Sequence, residues 1–248
     1  MRKIIFELCA ESIQACLAAR EGGADRIELC TALSEGGLTP SHGLIHTAVQ
    51  RSGLPVHVLL RPRGGDFLYT EDEFALMRED LLHARSLGAS GFVLGILRAD
   101  GTVDMERTRE LVDLAAPLEI TFHRAFDYTV SLEQALEDVI ATGCRRVLTS
   151  GGKRDVLAGA DRLARLVELA AGRIEIAAGG GLRLKDAADI ARTTLASHFH
   201  GSLRRSEASR MQHERHWVLE DADQFDGASR FVVDVDDVRA MIGSLRSS

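Results

Sequence analysis

Arg26-Ile27-Glu28-Leu29-Cys30 decides the fold, because its last three residues repeat Glu7-Leu8-Cys9 from the first apolar run. In a β-strand, residues i and i+2 share a face, so Glu7 with Cys9, and Glu28 with Cys30, point the same way. If the two strands are parallel neighbours, two carboxyls and two thiols meet in one place. What lies between them reads as a helix: Ser12 is a fitting N-cap, Ile13, Cys16 and Leu17 fall at i, i+3 and i+4, and Gly22-Gly23 ends it. The repeated word is therefore the strand of a repeated strand-helix unit.

Working outward, the same alternation continues to the end of the chain. Short β-branched runs predict strands at 3–9, 25–30, 56–61, 91–96, 118–124, 145–149, 173–178 and 197–200. Between them lie helices capped by Ser41 and Ser131, helices over 71–87 and 104–115, one reaching Ala171 and one starting near Leu184. Residues 203–230 are polar and without period, which predicts a long surface loop or insertion before a last helix over 235–245. Eight such units, with no GxGxxG after the first strand, favour a closed α/β barrel over an open doubly wound sheet. The expectation is a single (β/α)8 TIM-barrel domain over residues 1–248.

Composition narrows the function. A formal charge of −7, a pI near 5.7 and 5% aromatics offer no basic stripe and few rings for stacking bases, so nucleic-acid binding is not expected. The apolar run after Met1-Arg2-Lys3 is too short for a signal peptide, and no later run approaches a membrane span, so a cytoplasmic protein without membrane attachment is expected. Four cysteines, at 9, 16, 30 and 144, are too sparse for a disulfide scaffold and lack CxxC spacing. They read as reduced thiols. The sequence leaves a homodimer open and implies no organic cofactor.

In such a barrel the chemistry sits at the C-terminal ends of the strands. Polar residues gather there: Glu7 and Cys9, Glu28 and Cys30, Arg61 with Arg63 and Asp66, His123 with Arg124 and Asp127, Thr149 with Ser150, and His198 with His200. Two sulfurs on adjacent strands could converge on one soft ion, for which Cu(I) suits two thiolates better than tetrahedral zinc; two ordinary buried cysteines are an equal alternative. An ion pair between Glu28 and Arg61 is expected, with Glu7, Glu28, Arg61 and His123 as acid/base or charge-clamp candidates. The glycine run at Gly180 and Gly181, with Ser202 beyond the eighth strand, could cradle an anion through backbone N–H groups, and tight turns alone would also demand glycine. No lysine ends a strand, which argues against a Schiff-base aldolase, and no His-x-His on the first strand suggests a metallohydrolase.

Several of these words together resemble the CutC family. They are Glu7-Leu8-Cys9, Gly23 to Cys30, Glu35-Gly36-Gly37-Leu38-Thr39-Pro40-Ser41, Arg61-Pro62-Arg63-Gly64-Gly65-Asp66-Phe67, Thr121 to Asp127 and Leu148-Thr149-Ser150-Gly151-Gly152. The resemblance implies a TIM barrel, a cytosolic location and a role in copper homeostasis in which Cys9 and Cys30 match the proposed Cu(I) ligands. One corner departs from it: where similar proteins carry His-x-Ser-Ala, this chain has His200-Gly201-Ser202-Leu203. Three readings follow. The first is a Cu(I)-binding protein using Cys9 and Cys30. The second is an enzyme acting on a small anionic, phosphorylated metabolite through Glu7, Glu28, Arg61 and His123, with Arg63, Asp66, Arg124, Asp127, Thr149, Ser150, Gly180, Gly181, His200 and Ser202 around the ligand. The third is a structural barrel retained for partner binding, which a mouth capped by 203–230 and lacking a cavity would favour.

Overall fold

The computed structural model describes residues 2–210 and 229–247. Eight parallel strands close a barrel in the order of the chain: β1 (Ile5–Ala10), β2 (Arg26–Leu29), β3 (Val56–Leu59), β4 (Gly91–Leu94), β5 (Glu119–Phe122), β6 (Arg146–Thr149), β7 (Glu175–Gly179) and β8 (His198–Gly201). The seven helices between them are α1 (Ile13–Gly22), α2 (His42–Arg51), α3 (Glu71–Ser86), α4 (Met105–Ala115), α5 (Leu132–Thr142), α6 (Ala160–Ala170) and α7 (Ala187–Thr194). Helix α8 (Val235–Arg246) ends the chain. The (β/α)8 expectation holds.

Helix starts follow local chemistry. Ser12, Ser41 and Ser131 accept hydrogen bonds from the N–H groups of Ala15, Leu44 and Gln134, giving each helix a partner for an otherwise orphan donor. Thr70 and Glu73 form a reciprocal capping box at the start of α3.

The alternation of side chains sorts the strands into two interiors. Phe6, Leu8, Ile27, Leu29, Val58, Phe92, Leu94 and Phe122 face the helices and belong to one continuous apolar core. The residues between them line the lumen, where Cys9, Cys30, Leu59 and Val93 form a separate small cluster. Below that cluster the lumen is charged. Arg146, only 2% exposed, pairs with Glu119 at 3.1 Å and with Glu175 at 2.6 Å and donates to Thr121 Oγ1. His198 lies 3.2 Å from Glu175, and Arg26 pairs with Glu7 one level above. A buried charge is tolerated when it is paired; the charges of this floor are paired, while Arg146 Nε and His57 Nδ1 have no hydrogen-bond partner. Glycines make room at both levels: a Cβ at Gly91, the first residue of β4, would sit 2.7 Å from the His57 ring, and one at Gly95, just past β4, would sit 2.4 Å from His123 Nδ1 in the mouth.

The long surface loop expected over 203–230 is corrected at both ends. β9 (Arg204–Ala208) and β10 (Ser229–Val233) pair antiparallel, with Val233 opposite Arg204 and Arg230 opposite Glu207. Arg230 and Glu207 form an ion pair at 2.7 Å, and Arg204 lies over the Phe231 ring at 4.2 Å. The polarity that reads as loop is the solvent face of a two-stranded ribbon held by cross-strand charge pairs. The part of that expectation covering 211–228 lies outside the described residues.

Candidate functional site

Register sets the composition of the mouth. Glu7 stands opposite Arg26, and Cys9 opposite Glu28, so β2 is offset by two residues from the pairing that the repeated word suggests. This offset brings Cys9 beside Glu28 rather than Glu7 beside Glu28. Cys30, one residue past the end of β2, completes the corner: its sulfur lies 3.6 Å from that of Cys9. The Cys9 thiol donates to Glu28 Oε1 at 3.5 Å. All four cysteines are free and buried.

From β8, directly beside β1, His200 places Nδ1 2.8 Å from Glu7 Oε1 and 4.0 Å from Glu28 Oε2. Cys9, Glu28 and His200 each offer a ligand atom, all within 4.8 Å of one another, and they are the one such trio among the described residues. Cys30 is outside that trio, so the trio and the sulfur pair share Cys9 alone. Glu28 Oε2 is buried and accepts no hydrogen bond. A thiol, an imidazole and an unpaired carboxylate oxygen are donor types that suit a thiophilic ion.

Protonation follows from these contacts. The hydrogen bond to Cys30, then burial and the Glu28 charge, push the Cys9 thiol well above its ordinary range. Burial raises Glu28, and neighbouring Glu7 adds to this against the pull of His200. Burial would raise Glu7 too, but Arg26 and the hydrogen-bonded His200 outweigh it and hold this carboxyl well below the usual range. Burial opposes a charge on His200, yet Glu28 and Glu7 together raise it. The corner thus combines a carboxyl that Arg26 and His200 keep charged with a second carboxyl and an imidazole whose pKa values are both raised, within a few ångströms.

Of these groups Cys9, Glu28 and His200 line a cavity of about 430 Å³ in the barrel mouth, a size suited to a small ligand, while Glu7 and Cys30 are not part of its lining. Its lining includes Cys9, Glu28, Arg61, His123, Arg124, Gly180, Gly181, His200 and Ser202. The absence of a cavity, which would have favoured the structural reading, is not found among the described residues.

Three placements differ from expectation. Arg61 makes no ion pair with Glu28; its guanidinium donates to the carbonyls of Glu35, Gly37 and Gly65, because the two loops it faces end in unpaired C=O groups. Arg63 turns outward to Glu73 at 2.6 Å and Asp66 at 2.9 Å, so Arg63 and Asp66 brace the loop after β3 rather than line the cavity. Asp127 accepts from Thr149, Ser150 and the Gly152 N–H and pairs with Arg124 at 2.8 Å. Thr149, Ser150 and Asp127 are thereby consumed in a bracket behind Arg124. Arg26 was missed as a functional neighbour because it begins a strand, and only the register reveals that it faces Glu7.

Comparison with known proteins gives consistent matches. The model of the CutC family matches residues 4–205. The family protein CutC of Chromobacterium violaceum is 48% identical over 237 residues, covering 96% of each chain. Its counterpart in Vibrio cholerae is 46% identical over 211 residues, covering 84% of this chain and 83% of the relative. Among solved structures, the one named for the copper homeostasis protein CutC of Streptococcus agalactiae is 33% identical with a TM-score of 0.76, covering 80% of this chain and 98% of that one. The N-(5'-phosphoribosyl)anthranilate isomerase of Pyrococcus furiosus, 11% identical with a TM-score of 0.55 over 99% of this chain and all of that one, shares the fold alone.

Proposed function

Because the chain belongs to the CutC family, we propose that it is a cytoplasmic copper homeostasis protein that binds Cu(I) in the barrel mouth through Cys9 and Cys30. The observation carrying this reading is the 3.6 Å approach of two reduced, buried sulfurs beside Glu28 and His200. Two thiolates bound to one ion in a bent arrangement lie on the order of 3.8 Å apart, taking metal–sulfur bonds of roughly 2.3 Å, so the sulfurs need little movement to share an ion. A bent pair leaves a third position, which His200 fills best as a neutral imidazole. The ion is the cargo. The chain supplies soft ligands, a carboxylate to receive a displaced proton, and a wall that limits access of water and oxidants. No helix among the described residues is long and apolar enough to cross a membrane, in keeping with this location.

The reading is tested by anaerobic Cu(I) titration against a competing chelator. One tight site is expected, weakened at least tenfold in Cys9→Ala and in Cys30→Ala. Unchanged affinity in both variants would remove the reading.

A second reading is favoured by one observation, the buried Glu28 in the cavity wall, whose Oε2 is unpartnered and whose pKa burial raises. On this reading the mouth is an acid/base site: Glu28 exchanges a proton with a bound molecule, Glu7 stays charged and orients His200, Arg61 supplies positive charge, and His123 remains neutral. Glu28→Gln separates the two readings. It would abolish turnover of a substrate while leaving Cu(I) affinity within a few-fold, because the two thiols remain.

A further inference from the structure

The cavity holds two sets of groups on different walls, and only one is explained by a metal ion. Besides Cys9, Glu28 and His200, the lining carries Arg61, two residues past β3, His123 and Arg124 after β5, and the loops after β7 and β8. Arg61 is 5% exposed, and every acceptor it finds is a neutral carbonyl; it stacks on Phe67 at 5.1 Å and its Nε has no partner. A buried guanidinium without a carboxylate is costly unless an anion arrives. His123 accepts the Ala125 N–H at Nδ1, which puts its own proton on Nε2, and that nitrogen also lacks an acceptor. Burial, then Arg61 and Arg124, hold this imidazole neutral, with its pKa lowered to about 3, so it is a donor without charge.

The two loops add donors of their own. The N–H groups of Gly180, Gly181, Leu182 and Ser202 donate to no acceptor among the described residues, and all four residues line the cavity. Gly180 has φ of +104°, and a Cβ there would lie 2.9 Å from Arg124 Cζ, so the bare backbone lets the guanidinium press against the loop. Three of the acidic groups nearby are occupied: Asp127 is paired with Arg124, Asp155 accepts the Ala158 N–H and faces Arg154, and Glu7 is bound to Arg26. Glu35 and Glu28 also line the cavity, Glu28 with its Oε2 4.0 Å from His200 Nδ1.

We propose that this wall binds the oxyanion group of a small metabolite, a phosphate or carboxylate, between Arg61, Arg124 and the backbone N–H groups of Gly180, Gly181 and Ser202. The site supplies the ligand class for the acid/base reading, and rests on that reading only in sharing its cavity. It is independent of copper. A metabolite anchored there would reach across the cavity toward Glu28 and His200.

The test is equilibrium binding to copper-free protein at constant ionic strength. Inorganic phosphate and malonate are titrated separately, with chloride as the balancing salt, and followed by calorimetry and by phosphorus NMR line broadening. Saturable binding of phosphate identifies a tetrahedral oxyanion, and saturable binding of malonate alone identifies a carboxylate; either supports the proposal if affinity falls at least tenfold in Arg61→Met and Arg124→Met. Arg78→Gln, on the outer face of α3, should stay within twofold of the parent. If Arg61→Met does not fold, as its bonds to three loop carbonyls allow, Arg124→Met decides. Absence of saturation by both anions, or affinity indifferent to the folded arginine variants, overturns the proposal. Because turnover is not measured, a negative result for Glu28→Gln leaves this one standing, and the reverse holds.

Discussion

Single residues carry the site because several of them leave space for others. Gly95 is the clearest case: its missing Cβ is what allows His123 to stand in the mouth, since that atom would meet Nδ1 at 2.4 Å and Ala125 Cβ at 2.8 Å. Neither neighbour can yield, as His123 is buried and holds the Ala125 N–H. Gly95→Ala should therefore cost about 1–3 kcal/mol by urea unfolding, the range for overpacking a filled core. A cost within experimental error would show that His123 has another place to go. Cys16 and Cys144 serve as controls for thiol chemistry. Burial pushes both thiols up to about 12, so alkylation of the native protein should spare them. The residue identities at the mouth were largely legible in the sequence, because strand ends in a barrel converge. Pairings were not: Glu28 was expected to meet Arg61, and it meets Cys9 and His200 instead.

At the level of elements, β6, β5, β7 and β8 are tied together inside the lumen by one side chain and its partners. Arg146 reaches Glu119, Thr121 and Glu175, and Glu175 reaches His198. Removing Arg146 takes from Glu175 one of two arginine partners, Arg145 remaining at 2.7 Å, and leaves Thr121 without its donor, so Arg146→Met should destabilise by about 1–3 kcal/mol. The double variant Arg146→Met with Glu175→Gln should recover part of that loss, measured by chemical denaturation; a double variant no better than the single would mean the pair is not the cause. Strand and helix positions were readable because apolar periods of two and 3.6 alternate cleanly and serines mark helix starts. The ribbon of β9 and β10 was not, because its cross-strand charge pairs are long-range in sequence and each strand alone is as polar as a loop. The register of β1 on β2 was equally hidden: identical words suggested that like faces like, and the barrel's stagger shifts the pairing by two residues.

Across the whole molecule, burying titratable groups in a lumen makes stability depend on pH. Burial lowers His57 to about 4, while the unfolded chain titrates near 6.5. Between these values the unfolded state binds the additional proton, so stability rises with pH through this window and is lost as pH falls from 6.5 toward 4, by about 3 kcal/mol for His57 alone. His200 has the opposite sign: its raised value favours the fold at low pH and gives up that contribution as pH rises through the folded value. Urea midpoints should therefore fall on acidification below pH 6.5, and less steeply in His57→Gln; an identical slope in that variant would place the acid sensitivity elsewhere. The same burial that makes the lumen acid-sensitive shields the two thiols in its upper layer, and their use is the central claim. X-ray absorption at the copper edge of anaerobically Cu(I)-loaded protein tests it most directly. The account predicts a first shell with two sulfurs and one nitrogen, losing one sulfur in Cys30→Ala, whereas a shell of nitrogen and oxygen alone, unchanged in that variant, would contradict it.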